Sequence, residues 1–368
     1  MKDRVLITGG AGFIGCHLCK VLLTHGYQVR VLDDFVEQVH TGQKPNPILR
    51  ETELIVGNVR NIELVSKSLV GVDSVVHLAA EVGVGQSMYE IDRYVGANDL
   101  GTASLLQALL THPVRRIIVA SSMSIYGEGL YRAADGRLIE DAVRGARTDS
   151  GWDPCDTEGV PLTPLATPEW KRPALASVYA ITKFVQERLI LTVPPAYGMQ
   201  GVALRLFNVY GPGQALSNPY TGVLAIFAAR LLNGKPPQVF EDGEQRRDFV
   251  HVTDVAQAFL RALQAPEAAG GVFNIGSGRI TTIREIGEQI AVAMGRPDLV
   301  PEVLGKARAG DIRHCFADIS IARERLGFEP KQEMLEGMRD LAEWVLQQRA
   351  VDRVAQARRE LEARGLVA

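Results

Sequence analysis

Thr8-Gly-Gly-Ala-Gly-Phe-Ile-Gly15 follows the apolar run Arg4–Thr8 and opens the helical pattern Phe13–His25. Glycines at 9, 12 and 15 permit a tight turn, close approach of the backbone to a pyrophosphate, and close packing of helix on strand. The free N–H groups and the positive end of the helix dipole favour an anion there. Strand, glycine turn and helix together predict a dinucleotide-binding α/β unit. Asp33 ends the next strand pattern about 20 residues further on, where a carboxylate accepts from ribose hydroxyls and repels a 2′-phosphate. NAD is therefore expected in preference to NADP.

The pattern continues outward from this turn. Arg4–Thr8, Gln28–Leu32, Glu53–Val56, Ser74–Leu78 and Arg116–Ser121 read as buried strands, with helices such as Phe13–His25 and Gly96–Thr111 between them. Val202–Arg205 reads as a sixth strand. The expected fold class is α/β: a Rossmann-like doubly wound parallel sheet with a smaller mixed α/β C-terminal substrate domain. The expected NAD-binding domain is 1–207, with 248–275 returning to it. It carries an insertion at 128–176, where Pro154, Pro161, Pro164, Pro168 and Pro173 stand among polar residues. So long an irregular segment is expected to serve function or to cover a site. Residues 208–247 and 276–335 form the expected substrate domain. Residues 336–368 read as one charged C-terminal helix, on the surface or at an oligomer contact.

A chain of 368 residues with 46% hydrophobic residues can bury a sizeable core. Its net charge of −3 gives no electrostatic case for nucleic acid or an anionic membrane. No apolar run approaches the roughly 20 residues of a membrane span. The first residues carry no charged and apolar leader pattern, and a cytoplasmic location is expected. Cys16 and Cys19 form a C-x-x-C with no second ligand pair, so they read as packing residues and no metal site is expected.

Tyr179-Ala-Ile-Thr-Lys183 places a phenol and an ammonium one helical turn apart on one face. A nearby ammonium lowers the cost of a phenolate and can make it a base near neutral pH. With the glycine turn, this pair resembles the extended short-chain dehydrogenase/reductase superfamily, and within it the nucleotide-sugar epimerases and dehydratases. Further segments carry the resemblance in order. Gly57-Asn-Val-Arg60 resembles the loop over the adenine, with Asn58 where aspartate is usual. His77-Leu-Ala-Ala80 resembles the strand end beneath the cofactor, and Ser121-Ser-Met-Ser-Ile-Tyr-Gly127 the catalytic serine segment. Arg205-Leu-Phe-Asn-Val-Tyr-Gly-Pro212, Arg247-Asp-Phe-Val-His-Val252 and Arg308-Ala-Gly-Asp311 resemble the substrate-binding segments.

The resemblance implies the roles. Ser122 is the catalytic hydroxyl, with Ser124 the rival, and it acts with Tyr179 as base. Lys183 binds the nicotinamide ribose and depresses the tyrosine pKa. The expected cofactor-binding residues are Gly9, Gly12, Phe13, Ile14, Gly15, Asp33, Asp34, Asn58, Val59, Leu78, Ala79 and Ala80, with Tyr179, Lys183 and the supporting Asn98. Ser122 would meet the sugar, Asn208 the sugar or the diphosphate, Val223 and its helix start the diphosphate, Arg247 and Arg308 the diphosphate, and Asp311 the nucleoside ribose.

Dehydratases and decarboxylases of the resembled group carry a carboxylate just after the catalytic hydroxyl, where this chain has Met123-Ser124. A redox-neutral C4 epimerisation of a dTDP- or UDP-linked sugar is therefore expected, ahead of 4-keto reduction or a non-catalytic dinucleotide sensor. The insertion is expected to cover or border the sugar pocket. Pro168–Ser177, leading into Tyr179, and Gly211–Val223 resemble bacterial dTDP-L-rhamnose 4-epimerases, which implies conversion to dTDP-6-deoxy-L-talose for surface polysaccharide. UDP-hexose and UDP-uronate 4-epimerases are the alternative. The family implies a homodimer.

Overall fold

The computed structural model describes residues 3–40, 45–143, 151–220, 222–307, 310–348 and 352–367. Seven parallel strands make the central sheet: β1 (Arg4–Thr8), β2 (Gln28–Asp33), β3 (Glu53–Val56), β4 (Ser74–His77), β5 (Arg116–Ser122), β6 (Gln200–Leu206) and β7 (Val272–Ile275). Their spatial order is β7-β6-β5-β4-β1-β2-β3. The order turns outward in both directions from β1, and ligands of such sheets bind in the crevice at the carboxyl ends beside that switch point. The glycine turn of 9–15 stands there.

Helices cover both faces, which is why β1, β4 and β5 are buried throughout their central residues. On one face α1 (Phe13–Thr24) and α6 (Val252–Gln264) bury Leu18, Leu22, Val255 and Phe259 against Val5, Ile7 and Val31. On the other, α2 (Ile62–Leu69), α3 (Gly101–Leu109) and α4 (Val178–Ala196) bury Val65, Leu105, Leu109 and Ile190 against Leu6, Val75 and Ile117. The expected helix Gly96–Thr111 begins earlier and is interrupted by a π-helical turn at Val95–Leu100, a feature often found at functional sites. Cys16 and Cys19 are buried in the α1 core, and burial pushes the Cys16 thiol up to about 12.

Residues 252–275 return to this layer, with α6 against α1 and β7 beside β6. A separate core forms where α5 (Val223–Leu232), α7 (Ile283–Ala293) and α8 (Met334–Leu346) pack Phe227, Ile286, Ile290, Met338, Leu341 and Val345 together. The expected single surface helix at 336–368 is thus two helices. The first is core, because Met338, Leu341, Ala342 and Val345 recur at helical spacing beneath a charged outer face. The second, α9 (Val354–Glu362), lies at the functional cavity described below.

The insertion also differs from expectation. It builds a small antiparallel sheet from Leu130–Arg132, Leu138–Ile139 and Thr163–Leu165. None of its described residues lines the cavity. Two of its carboxylates, Glu128 and Asp153, are spent on the segment after Asp311 instead. Asp153 accepts from Arg313 Nε at 2.6 Å and pairs with His314 Nε2 at 3.0 Å, and Glu128 accepts from the Arg313 N–H at 2.7 Å. Residues 144–150 lie outside the described residues.

Candidate active site

The carboxyl ends of β1, β2, β4 and β5 open into a cavity of about 770 Å³ that continues into the C-terminal half. Gly9, Gly12, Phe13, Ile14 and Gly15 form its floor at one end. Gly9 has φ +70°, and a Cβ there would stand 2.7 Å from the Ala79 N, so the turn needs glycine. Gly12 caps α1 without a side chain, so no side chain takes up the amides of that first turn. Asp33 is buried at the end of β2 and accepts from the N–H groups of Ala11 and Phe35, both at 2.9 Å. Asp34 accepts from the Asn58 amide at 2.7 Å, and burial raises its pKa. Asn58 and Val59 complete that wall with Leu78, Ala79 and Ala80. A glycine-lined turn, uncapped helix amides and a carboxylate on the next strand fit the pyrophosphate and ribose of NAD.

Ser122, Tyr179 and Lys183 line the middle of the same cavity. α4 starts there because Ser177 caps it, accepting from the Ala180 N–H at 3.1 Å, while the Tyr179 N–H donates to Ser87 Oγ at 3.0 Å. Burial raises the Tyr179 pKa, and the hydrogen bond with Ser122 opposes that rise. Ser122 Oγ lies 2.8 Å from Ser124 Oγ, so the rival hydroxyl is its neighbour. Burial lowers the Lys183 pKa to about 7, with Glu187 and Asp99 acting the other way. The expected lowering of the tyrosine by Lys183 is not what opposes burial here: Ser122 does so, while the ammonium donates to Gln186 Oε1 at 2.7 Å. Asn98 does not line the cavity. It sits on the π-helical turn, where its amide accepts from the Glu81 N–H at 2.7 Å and donates to Thr182 Oγ1 at 2.9 Å, holding the loop after β4 against α4.

Asn208, Val223, Arg247 and Asp311 line the other end. Gly222 caps α5 without a side chain, which again leaves first-turn amides facing the cavity. Asn208 Oδ1 and Gln245 Oε1 are buried in this wall with no hydrogen-bond partner among the described residues. A buried acceptor without a partner costs stability, and a ligand hydroxyl or ring N–H would satisfy it. Arg247 Nη2 lies 3.7 Å from Asp311 and donates to the Ile312 carbonyl, so two expected ligands are neighbours. Arg308 and Thr221 lie outside the described residues.

Several cavity residues were not anticipated. Glu81 lines it, held by Arg93 Nη2 at 2.8 Å. From α9 and the turn after it come Val354, Ala357, Arg358, Leu361 and Leu366. Tyr89 and Tyr220, from opposite sides, lie 2.6 Å apart at their hydroxyls, and Glu360 of α9 accepts from both, at 3.1 and 2.8 Å. Arg364 stacks on the Tyr89 ring at 4.2 Å. The alternation of charge and apolar residues along 354–366 was the available signal.

The sequence description of NAD-dependent epimerases and dehydratases matches residues 5–146 and 157–276. The chain belongs to the NAD-dependent epimerase/dehydratase family. NAD is its cofactor. Among its relatives, a dTDP-L-rhamnose 4-epimerase of Burkholderia thailandensis is 35% identical over 94% of this chain and 95% of its own length. A putative UDP-glucose 4-epimerase of Methanocaldococcus jannaschii is 32% identical over 93% of this chain and 98% of its own. A solved point mutant of the Bacillus cereus UDP-glucuronic acid 4-epimerase, in complex with a fluorinated UDP-sugar and NAD, superimposes with a TM-score of 0.75 at 27% identity, covering 94% of this chain and 99% of that one.

For this family member, Asp33 offers a direct test of cofactor choice. Asp33→Ala removes the acceptor of two backbone amides and the repulsion of a 2′-phosphate. Affinity for NAD is expected to fall about 10–100-fold, the size of a lost charged hydrogen bond, and affinity for NADP to fall less. Titration calorimetry with both dinucleotides checks it; an unchanged ratio of the two affinities would contradict the assignment.

Proposed function

We propose that this chain interconverts the C4 epimers of a nucleotide sugar through a 4-keto intermediate, with dTDP-L-rhamnose and dTDP-6-deoxy-L-talose as its pair. The observation that carries this reading is one continuous cavity. It joins an NAD-fitting turn, the Ser122–Tyr179–Lys183 group, and a far wall of Asn208, Arg247 and Asp311. The position after Ser122 supports epimerisation over dehydration: Met123 and Ser124 stand there, and the nearby carboxylate Glu81 is engaged by Arg93. The 35% identical relative supports the dTDP-linked sugar. A UDP-hexose or UDP-uronate substrate is the second reading, favoured by the UDP-sugar relative and structure.

NAD, held by Gly9, Gly12, Gly15 and Asp33, would supply a reversible hydride acceptor for the sugar C4. The chain supplies the rest. Tyr179, as phenolate, takes the proton of the C4 hydroxyl and gives it back when the carbonyl is reduced on its other face. Ser122 donates to the same oxygen and steadies the developing carbonyl. Lys183 contributes an ammonium that favours the phenolate. Asn208, the amides at the start of α5, Arg247 and Asp311 hold the nucleotide end, so that the sugar turns while the diphosphate stays. No net oxidant is consumed.

Incubation with a panel of dTDP- and UDP-sugars, followed by NMR of the C4 configuration, is expected to show inversion without net use of NAD(P)H. Stoichiometric consumption of reduced cofactor would replace this reading with a 4-keto reductase. Inversion of UDP-sugars alone would move the substrate to the second reading.

A further inference from the structure

α4 turns a polar face inward. Tyr179, Thr182, Lys183, Gln186 and Glu187 are all buried at helical spacing, where an ordinary amphipathic helix would place apolar residues. Tyr179 and Lys183 belong to the proposed chemistry, and Glu187 is paired with Arg205. Gln186 is fully buried, stands behind the cavity lining and has no role so far.

Its surroundings dictate how its amide points. An ammonium only donates, so the Gln186 oxygen must face Lys183 Nζ at 2.7 Å. The amide nitrogen then donates to Thr102 Oγ1 at 2.9 Å. Thr102 spends its own proton on the Asn98 carbonyl at 2.6 Å. His77 stands against both, with Nε2 at 2.9 Å from Thr102 Oγ1 and 3.2 Å from Gln186 Nε2, and its Nδ1 lies 2.6 Å from Thr8 Oγ1. Thr8 is the residue that enters the glycine turn. Burial holds His77 neutral, with its pKa near 3. A chain of hydrogen bonds therefore runs from the cofactor turn through His77, Thr102 and Gln186 to the ammonium.

We propose that Gln186 is the positioning residue of Lys183: its carboxamide, clamped by Thr102, which His77 braces in turn, holds the ammonium in place and keeps it charged inside a buried site. This rests on the role assigned to Lys183 in the epimerase reading. The other groups facing Lys183 are few. Glu187 on its own helix favours the charged lysine from a distance, but its oxygens are taken up by Arg205 of β6 at 2.7 Å and by Ser121. Asp99, on the π-helical turn, has its carboxyl pushed up to about 6 by burial. His77 at the end of β4 and Tyr179 are uncharged, and β5 presents Ser121 and Ser122. Gln186 is thus the uncharged acceptor that meets the cation directly.

The test uses the full-length protein with NAD, as Gln186→Met and Gln186→Glu. Methionine keeps the volume and removes the acceptor, so the ammonium loses its proton at lower pH. Glutamate adds a countercharge, so it keeps the proton to higher pH. The alkaline limb of the kcat–pH profile, which reports loss of the Lys183 proton, is expected to move down by about one unit in the first and up in the second, a tenfold change in rate at a fixed pH on that limb. NMR of ¹³Cε-labelled lysine reads the Lys183 midpoint directly, whether or not the protein turns over. Opposite shifts in the two variants support the proposal. Unmoved midpoints overturn it, even if kcat falls. Should Gln186→Met fail to fold, the upward shift in the near-isosteric Gln186→Glu decides alone. Shifted midpoints in a protein that inverts no nucleotide sugar would reject the epimerase reading and leave the positioning role standing.

Discussion

Tyr179→Phe is expected to lower kcat for C4 inversion by about 10²–10⁴-fold, the usual contribution of a positioned general base. The phenol is buried against the edge of the Tyr94 ring, with centroids 6.4 Å apart and planes at 84°, and phenylalanine keeps that packing. The backbone N–H of residue 179 still donates to Ser87. Fold and NAD content are therefore expected to remain, and quantification of NAD released on denaturation separates loss of chemistry from loss of cofactor. Turnover within a few fold of wild type would remove Tyr179 from the role of base. Ser124 is a poor substitute for that role, because its hydroxyl is already engaged with Ser122 at 2.8 Å.

The second large effect is on stability. Glu187 and Arg205 meet across α4 and β6 in a two-pronged pair, with Arg205 Nη2 donating to Oε1 at 2.7 Å and Nε to Oε2 at 3.0 Å. Both side chains are nearly inaccessible, at 1% and 6% exposure. Ser121 also donates to Glu187, and Arg205 reaches the Tyr126 hydroxyl at 2.8 Å while lying over its ring. Glu187→Ala would leave a guanidinium buried without its countercharge. The expected loss is about 3–5 kcal/mol, because the stranded charge costs more than the pair contributes. Urea unfolding of the single variant and of Glu187→Leu with Arg205→Leu checks the cause. The double variant is expected to lose less than Glu187→Ala. An equal or greater loss would assign the effect to packing.

The parallel sheet was legible because its strands are short β-branched runs broken by glycine and helix patterns, and each expected strand from 4 to 206 is present within two residues of its expected bounds. The cofactor turn was legible because backbone geometry at Gly9, Gly12 and Gly15 leaves few alternatives. What stayed hidden is long-range partnership. Nothing local to Asp153 indicates Arg313 and His314, 160 and 161 residues away, and so the insertion was expected at a cavity that none of its described residues lines. The tail was misread for the opposite reason. Its charge suggested a surface, whereas four apolar residues in α8 and the inner side of α9 are spent on the interior. Gln186 and Glu187 did carry a signal, as polar residues three and four positions beyond Lys183 on the same helical face. Only burial shows that this face looks inward.

The cavity has walls from Gly9 to Leu366, and Glu360 reaches Tyr89 across 271 positions of chain. The ribosome delivers a chain from its N-terminus, and domains fold as units once their residues have emerged. The glycine turn, Asp33 and the Tyr179–Lys183 helix emerge first, the seventh strand only at 272–275, and α9 near the last. The residues that bed the dinucleotide are thus synthesised long before Glu360, the carboxylate that joins the two tyrosines. Closure of the cavity wall at α9 is therefore expected to wait for the end of the chain's synthesis.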